Sequence, residues 1–162
     1  MRFLISALLL VSSVNAAETP ITGTVQSRCS IQTDTAGVYG NPNAYTLSTT
    51  PSDGGVVPVV RFDVSLADAY LARISHPTSF SSSPVLNDTP SFTGATEVQA
   101  VSTTDMAGYE AAKTTFDNTT QYDLTATGST WFKVSSSVVN GGNKAFPGGT
   151  YRSVVVAECI AQ

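Results

Sequence analysis

The amino-acid sequence predicts an all-β domain, a sandwich or a barrel. Apolar and polar residues alternate over short segments, the period expected of a strand with one buried face. Clusters of Gly, Pro, Asn and Ser separate those segments, and these are the residues that turns require. Helical periodicity is nearly absent, and no internal repeat of fixed period is visible.

The first residues predict removal rather than folding. Arg2 precedes an apolar run from Phe3 to Val11, followed by Ser12, Ser13, Val14 and the small pair Ala16 and Ala17, the layout of a secretory signal peptide. The run is far shorter than the roughly 20 apolar residues of a spanning helix, so it engages an export machinery without remaining as an anchor. Cleavage after Ala16 sets Val14 and Ala16 in the small-residue positions, whereas cleavage after Ala17 would set Asn15 in one of them. The other reading of the run is a short buried core strand. The predicted organisation is a signal peptide over 1–16, an N-terminal extension over 17–26 and one β-domain over 27–162.

Removing 16 of the 162 residues leaves 146, enough for a single core of ordinary size. Without Arg2, seven basic residues stand against twelve acidic ones, a net charge of −5. That balance argues against nucleic-acid phosphates and anionic membranes as partners, and no second long apolar run predicts a membrane anchor after processing. Charged residues make up 12% of the chain, about half the usual share, with Ser and Thr plentiful. A surface covered by neighbours and a plain secreted β-protein both fit this composition.

The clearest strand is 56–66, with Val60, Phe62, Val64 and Leu66 on one face and Val59, Arg61, Asp63 and Ser65 on the other; Pro58 belongs near its start or at a bulge. The second is 150–160, where Tyr151, Val155, Ala157 and Cys159 oppose Val154, Val156 and Ile160, and apolar residues on both faces predict heavy coverage. Weaker candidates are 29–33, 44–49, 70–75, 95–103, 121–127 and 130–139, making about eight strands. Residues 104–116 hint at a helix through Met106, Tyr109, Ala112 and Phe116, against Gly108 and two threonines. The Ser- and Pro-rich stretch 76–94 predicts a long surface loop.

Cys29 and Cys159 stand 130 positions apart (159 minus 29). In an exported chain a pair most simply means one disulfide, here joining the first strand to the last. Closing that loop removes chain entropy worth on the order of 5 kcal/mol. A reactive thiol or metal pair is the alternative, and it lacks nearby His or basic partners.

Little in the sequence predicts catalysis or a cofactor. The single histidine, His76, precedes Pro77 at the edge of the long loop, and no GxSxG turn accompanies it. Asp117 and Asp123 flank Asn118, Thr119 and Thr120; these oxygens suit a calcium ion or, more simply, a turn. Asn87-Asp88-Thr89 and Asn118-Thr119-Thr120 fit the short N-glycosylation pattern, which matters only in a eukaryotic host. Trp131 with Phe132 is either core or part of a sugar-stacking platform, with core packing favoured on a strand.

From Thr19 the chain reads Thr-Pro-Ile-Thr-Gly-Thr-Val-Gln, with Ile21, Gly23 and Val25 on one face of an extended segment shortly before Cys29. The order of signal peptide, short alternating arm and cysteine, then Gly-Val-Tyr-Gly at 37–40 and a terminal Gly-Thr-Tyr at 149–151, resembles chaperone–usher pilins. The resemblance covers about a quarter of the chain, at its two ends. It implies an immunoglobulin-like sandwich that is incomplete and is filled by the N-terminal strand of a neighbouring subunit. Ile21, Gly23 and Val25 would then carry polymerisation; the other reading of the arm is that it folds back on the sheet of its own domain. Implied partners are identical or related subunits, a periplasmic chaperone and an outer-membrane usher, with export through the periplasm to a cell-surface fimbria serving adhesion or biofilm formation. The chain departs from the family pattern in two ways: family members commonly link early strands by their disulfide and often end on an aromatic residue, whereas here Cys159 lies in the last strand and the chain ends Ile160-Ala161-Gln162. The alternative function is a monomeric secreted binding module, with carbohydrate as a candidate ligand.

Overall fold

The computed structural model describes residues 22–24, 26–102 and 106–162. The predicted signal peptide lies outside the described residues, as do Ile21 and Val25 of the arm. The chain forms an all-β sandwich of two antiparallel sheets. The first holds β1 (Cys29–Thr35), β2 (Gly40–Asn43), β3 (Thr46–Ser48), β4 (Val59–Val64), β6 (Ser91–Val101) and β9 (Gly128–Val139). The second holds β5 (Tyr70–Ser75), β7 (Thr114–Phe116), β8 (Thr119–Asp123) and β10 (Val156–Ala161), in the order β10-β5-β8-β7. A short α-helix, α1 (Met106–Ala112), lies between β6 and β7.

The spine of the first sheet is β9, whose alternation is the most regular in the chain. Thr130, Phe132, Val134, Ser136 and Val138 are buried, while Trp131, Lys133, Ser135 and Ser137 face outward. Along one edge β9 pairs with β6, from Ser91 opposite Val139 to Val101 opposite Thr130. Its other edge is shared: β4 takes Gly128 to Lys133 and β3 takes Ser137 to Val139. β1 then adds outside β4, with Cys29 opposite Val64.

Between the sheets, Phe62, Phe132 and Val134 of the first meet Ile74 and Tyr122 of the second and Leu124 just past β8, all essentially without solvent contact. Phe62 and Phe132 pack edge to face with centroids 5.6 Å apart, and Tyr122 lies 4.5 Å from Phe132. Burying each such side chain contributes about 1.5–3 kcal/mol. The Tyr122 hydroxyl donates to the Thr96 carbonyl at 2.9 Å, so its polar end is satisfied inside the core.

Several sequence expectations are corrected in detail. The 56–66 strand ends at Val64, so Leu66 falls in the following turn and is 44% exposed. Heavy coverage of both faces of 150–160 does not hold. Val155, Ala157 and Cys159 pack against the core, but Val154 and Val156 remain half exposed, because the other layer of the sandwich covers only the inner face. The long loop stops at Pro90 rather than Gly94, since β9 is long enough to give Ser91–Gly94 a pairing partner. Among the described residues the helix covers Met106–Ala112 and does not reach Phe116, which belongs to the β7–β8 hairpin, turned by Asp117 with φ 51°. β2, with Pro42 inside it, has no counterpart among the expected strands; its pairing with β3 is irregular and short.

Candidate functional site

The two sheets are not sealed along one side of the sandwich. Among the described residues β1 pairs only with β4, and β10 pairs only with β5, so each leaves one strand edge free. Between the β1 edge and the segment that leads into β10 runs a groove of about 630 Å³. Thr33 and Thr35 of β1 form one wall and the segment from Tyr151 to Val155, leading into β10, forms the other. Leu47, Val60 and Ser136 on the inner side of the first sheet make its floor.

One end of the groove is closed covalently. The predicted bridge is present: Cys29 at the start of β1 and Cys159 in β10 form a disulfide with Cα atoms 6.4 Å apart. A strand inserted between two others needs flanking strands about 10 Å apart, twice the ladder spacing, so none fits at the disulfide. Toward the end of β1 and the start of β10 the groove opens. Because the two strands run in opposite directions across it, an inserted segment is parallel to one and antiparallel to the other.

The open end is built by the two glycine–tyrosine motifs of the sequence. In the first, the Tyr39 hydroxyl bonds Ser136 Oγ at 2.9 Å and Ser153 Oγ at 2.6 Å, tying floor to wall. Gly37 passes so close to Pro58 that a Cβ there would lie 2.8 Å from the proline ring. In the second, Gly149 adopts φ 148° and lies against Pro84, where a Cβ would stand 2.5 Å from the ring, and the Tyr151 hydroxyl donates to the Pro147 carbonyl at 2.5 Å. Behind them Phe80 gathers Tyr39, Phe92, Phe146 and Tyr151 at centroid distances of 4.9–6.4 Å. Desolvation in this cluster raises the pKa of the Tyr151 phenol. The Ser- and Pro-rich loop therefore has a packing role, since it supplies Phe80.

The approach to β1 is also defined. Arg28 N–H donates to Ser65 Oγ at 2.7 Å, Ser65 N–H donates to the Arg28 carbonyl at 3.0 Å, and the Tyr70 hydroxyl donates to Ser27 Oγ at 3.2 Å. The chain thus continues the line of β1 past the disulfide, at the end opposite the groove's opening. Gly23 is exposed, with nothing within 4 Å of where a Cβ would stand.

The other sequence candidates are not brought to this groove. His76 packs its ring against Gly94, and its Nδ1 lies 3.3 Å from the Pro77 carbonyl. Asp117 serves the hairpin turn, and Asp123 accepts from Gln162 at 2.8 Å. Among the described residues no group of three or more His, Cys, Asp or Glu converges on one point. The amides of both glycosylation patterns are engaged: Asn118 donates to the His76 carbonyl and Asn87 accepts from Asn140. Core packing for Trp131 is corrected. It stands on the outer face of β9, its indole N–H donating to Asp34 Oδ1 at 3.3 Å, while Phe132 alone enters the core.

Sequence reasoning missed the groove because its walls are defined by strand edges, which carry no side-chain signature. The two glycine–tyrosine motifs were the available signal. No helix among the described residues is long and apolar enough to cross a membrane. No family model, no curated protein and no solved structure matches this chain.

Proposed function

We propose that this chain is a structural subunit of a bacterial surface fimbria of chaperone–usher type, polymerising by donor-strand exchange and serving in adhesion or biofilm formation, without a catalytic role. The observation that carries the reading is the groove between the free-edged β1 and the segment Tyr151–Val155 that leads into β10, over a floor of Leu47, Val60 and Ser136. Such a site offers main-chain hydrogen bonds on both sides and side-chain pockets beneath, the two requirements of strand addition.

The arm of a second copy has the matching chemistry. Ile21 and Val25 bury about 1.5–3 kcal/mol each when enclosed, and Gly23 allows a close main-chain approach between them. The arm of the same copy is poorly disposed to fill its own groove, because residues 27–28 run away from the opening. Exchange between copies is then head to tail, which produces open filaments. Before assembly, a periplasmic chaperone would cover the groove and an outer-membrane usher would admit the subunit to the fibre.

The test is to express the exported chain with Ile21→Asp and Val25→Asp and image the product. Filaments from the parent, and folded, filament-free protein from the variant, support the reading. Filaments that persist in the variant contradict it. The second reading, a monomeric binding module, draws support from Trp131 on an outer face, and it requires the parent itself to run as a stable monomer.

A further inference from the structure

β6 forms the outer edge of the first sheet on the side away from β1, pairing with β9 and with no other strand among the described residues. Alternate residues of an antiparallel strand turn their main-chain groups to opposite sides. On β6, Thr96 and Val98 turn theirs away from β9, toward the free edge. An edge of this kind is a template for any other strand.

Here the positions are already taken. The Val98 N–H donates to Glu110 Oε2 at 3.0 Å. The Thr96 carbonyl accepts from the Tyr122 hydroxyl at 2.9 Å and from Lys113 Nζ at 3.5 Å. Glu110 and Lys113, three residues apart on the α1 turn and its exit, also pair with each other. Tyr109 fixes α1 in place, with its ring buried in the core and its hydroxyl accepting from Ala126 N–H at 2.6 Å. The same stretch of β6 carries a bulge, where the register shifts between Val98 and Ala100. Bulges bend and twist a strand and disrupt pairing locally.

We propose that α1 is an edge guard. Glu110 and Lys113 occupy the hydrogen-bonding positions of Thr96 and Val98 that a second copy of this chain would otherwise use, pairing β6 against β6. Antiparallel pairing of one edge with itself about a two-fold axis needs no second kind of surface, so an identical chain is the partner this edge fits. The proposal is independent of the groove: it concerns the opposite edge of the sheet and predicts a closed dimer, not a filament.

The experiment uses the full exported chain with Ile21→Asp in every sample, so that any arm-mediated assembly is equal throughout. In that background, sedimentation compares the parent with Glu110→Ala/Lys113→Ala. The dimer association constant should rise at least about tenfold, a change of about 1.4 kcal/mol, and the Val98 amide should exchange more slowly in the dimer than in the parent. If the alanine pair unfolds, Glu110→Lys, which removes the acceptor of the Val98 N–H and sets two ammonium groups against each other while Tyr109 still anchors α1, must give the same dimer. Folded variants that stay as monomeric as the parent, or dimers in which the Val98 amide exchanges freely, overturn the proposal.

Discussion

Two of the three edges of the first sheet, β1 and β6, are treated in opposite ways. At β1 the edge is bare, borders the groove and is tethered at the groove's closed end by Cys29–Cys159. At β6 the edge positions of Thr96 and Val98 are occupied by Glu110, Lys113 and Tyr122, and the strand is bulged at the same place. Both edges consist of the same main-chain groups, so the difference lies in side chains brought from elsewhere in the sequence. A fold that assembles through one strand edge has to silence the others, because main-chain edges do not discriminate between partners. The contrast fits the pilin reading, in which strand addition is directed to β1 and away from β6.

The largest expected effect comes from removing the tether on the open side. Cys29→Ser with Cys159→Ser frees the last strand from the first and should lower unfolding stability by about 2–5 kcal/mol. Denaturant melts of the exported chain measure this, and the amides of β10 should exchange faster than those of β9. Equal acceleration in both strands would mean that the bridge stabilises the whole domain without defining the groove.

A smaller effect is expected at the groove's open end. Tyr39→Phe removes the hydroxyl that joins Ser136 to Ser153. The loss should be about 0.5–1.5 kcal/mol for each net hydrogen bond. Hydrogen exchange should localise the loosening to 151–155 and leave β6 unchanged. Loosening of β6 as well would show that the two edges are mechanically coupled.

The smallest effect concerns acid. Burial resists ionisation of Glu110, but Lys113 and the Val98 N–H outweigh it and hold the carboxyl below its ordinary value of 4.5. A carboxyl lowered in the folded state contributes stability above its unfolded value, and the contribution is lost as pH falls through the folded one. Stability should therefore decline below about pH 4.5, and Glu110→Gln should flatten that decline. An unchanged acid slope in the variant would mean that Glu110 is not ionically held at the β6 edge.

The sequence and the structure agree best where burial alone decides the pattern. The alternation in 56–66 set Val60, Phe62 and Val64 on one face, and all three are in the core, because a strand packed on one face must alternate. The bond between Cys29 and Cys159 followed from counting two cysteines in an exported chain. Trp131 was misplaced because alternation gives two faces without saying which is inner when large residues stand on both. The double-faced apolar pattern at Val154 and Val156 was read as coverage for the same reason. Least legible were the two edges. The contacts of Glu110 with Val98 and of Tyr39 with Ser153 join residues 12 and 114 positions apart, and nothing in local spacing announces them.

The central claim, that the β1–β10 groove accepts the arm, is tested most directly by adding a peptide of residues 17–26 to the exported chain and following amide hydrogen exchange. The account predicts slowing by at least about tenfold, or 1.4 kcal/mol, at 33–35 and 153–157. It also predicts that the same peptide with Ile21→Asp and Val25→Asp gives none. Protection that appears on β6 instead, or no protection with either peptide, would contradict it.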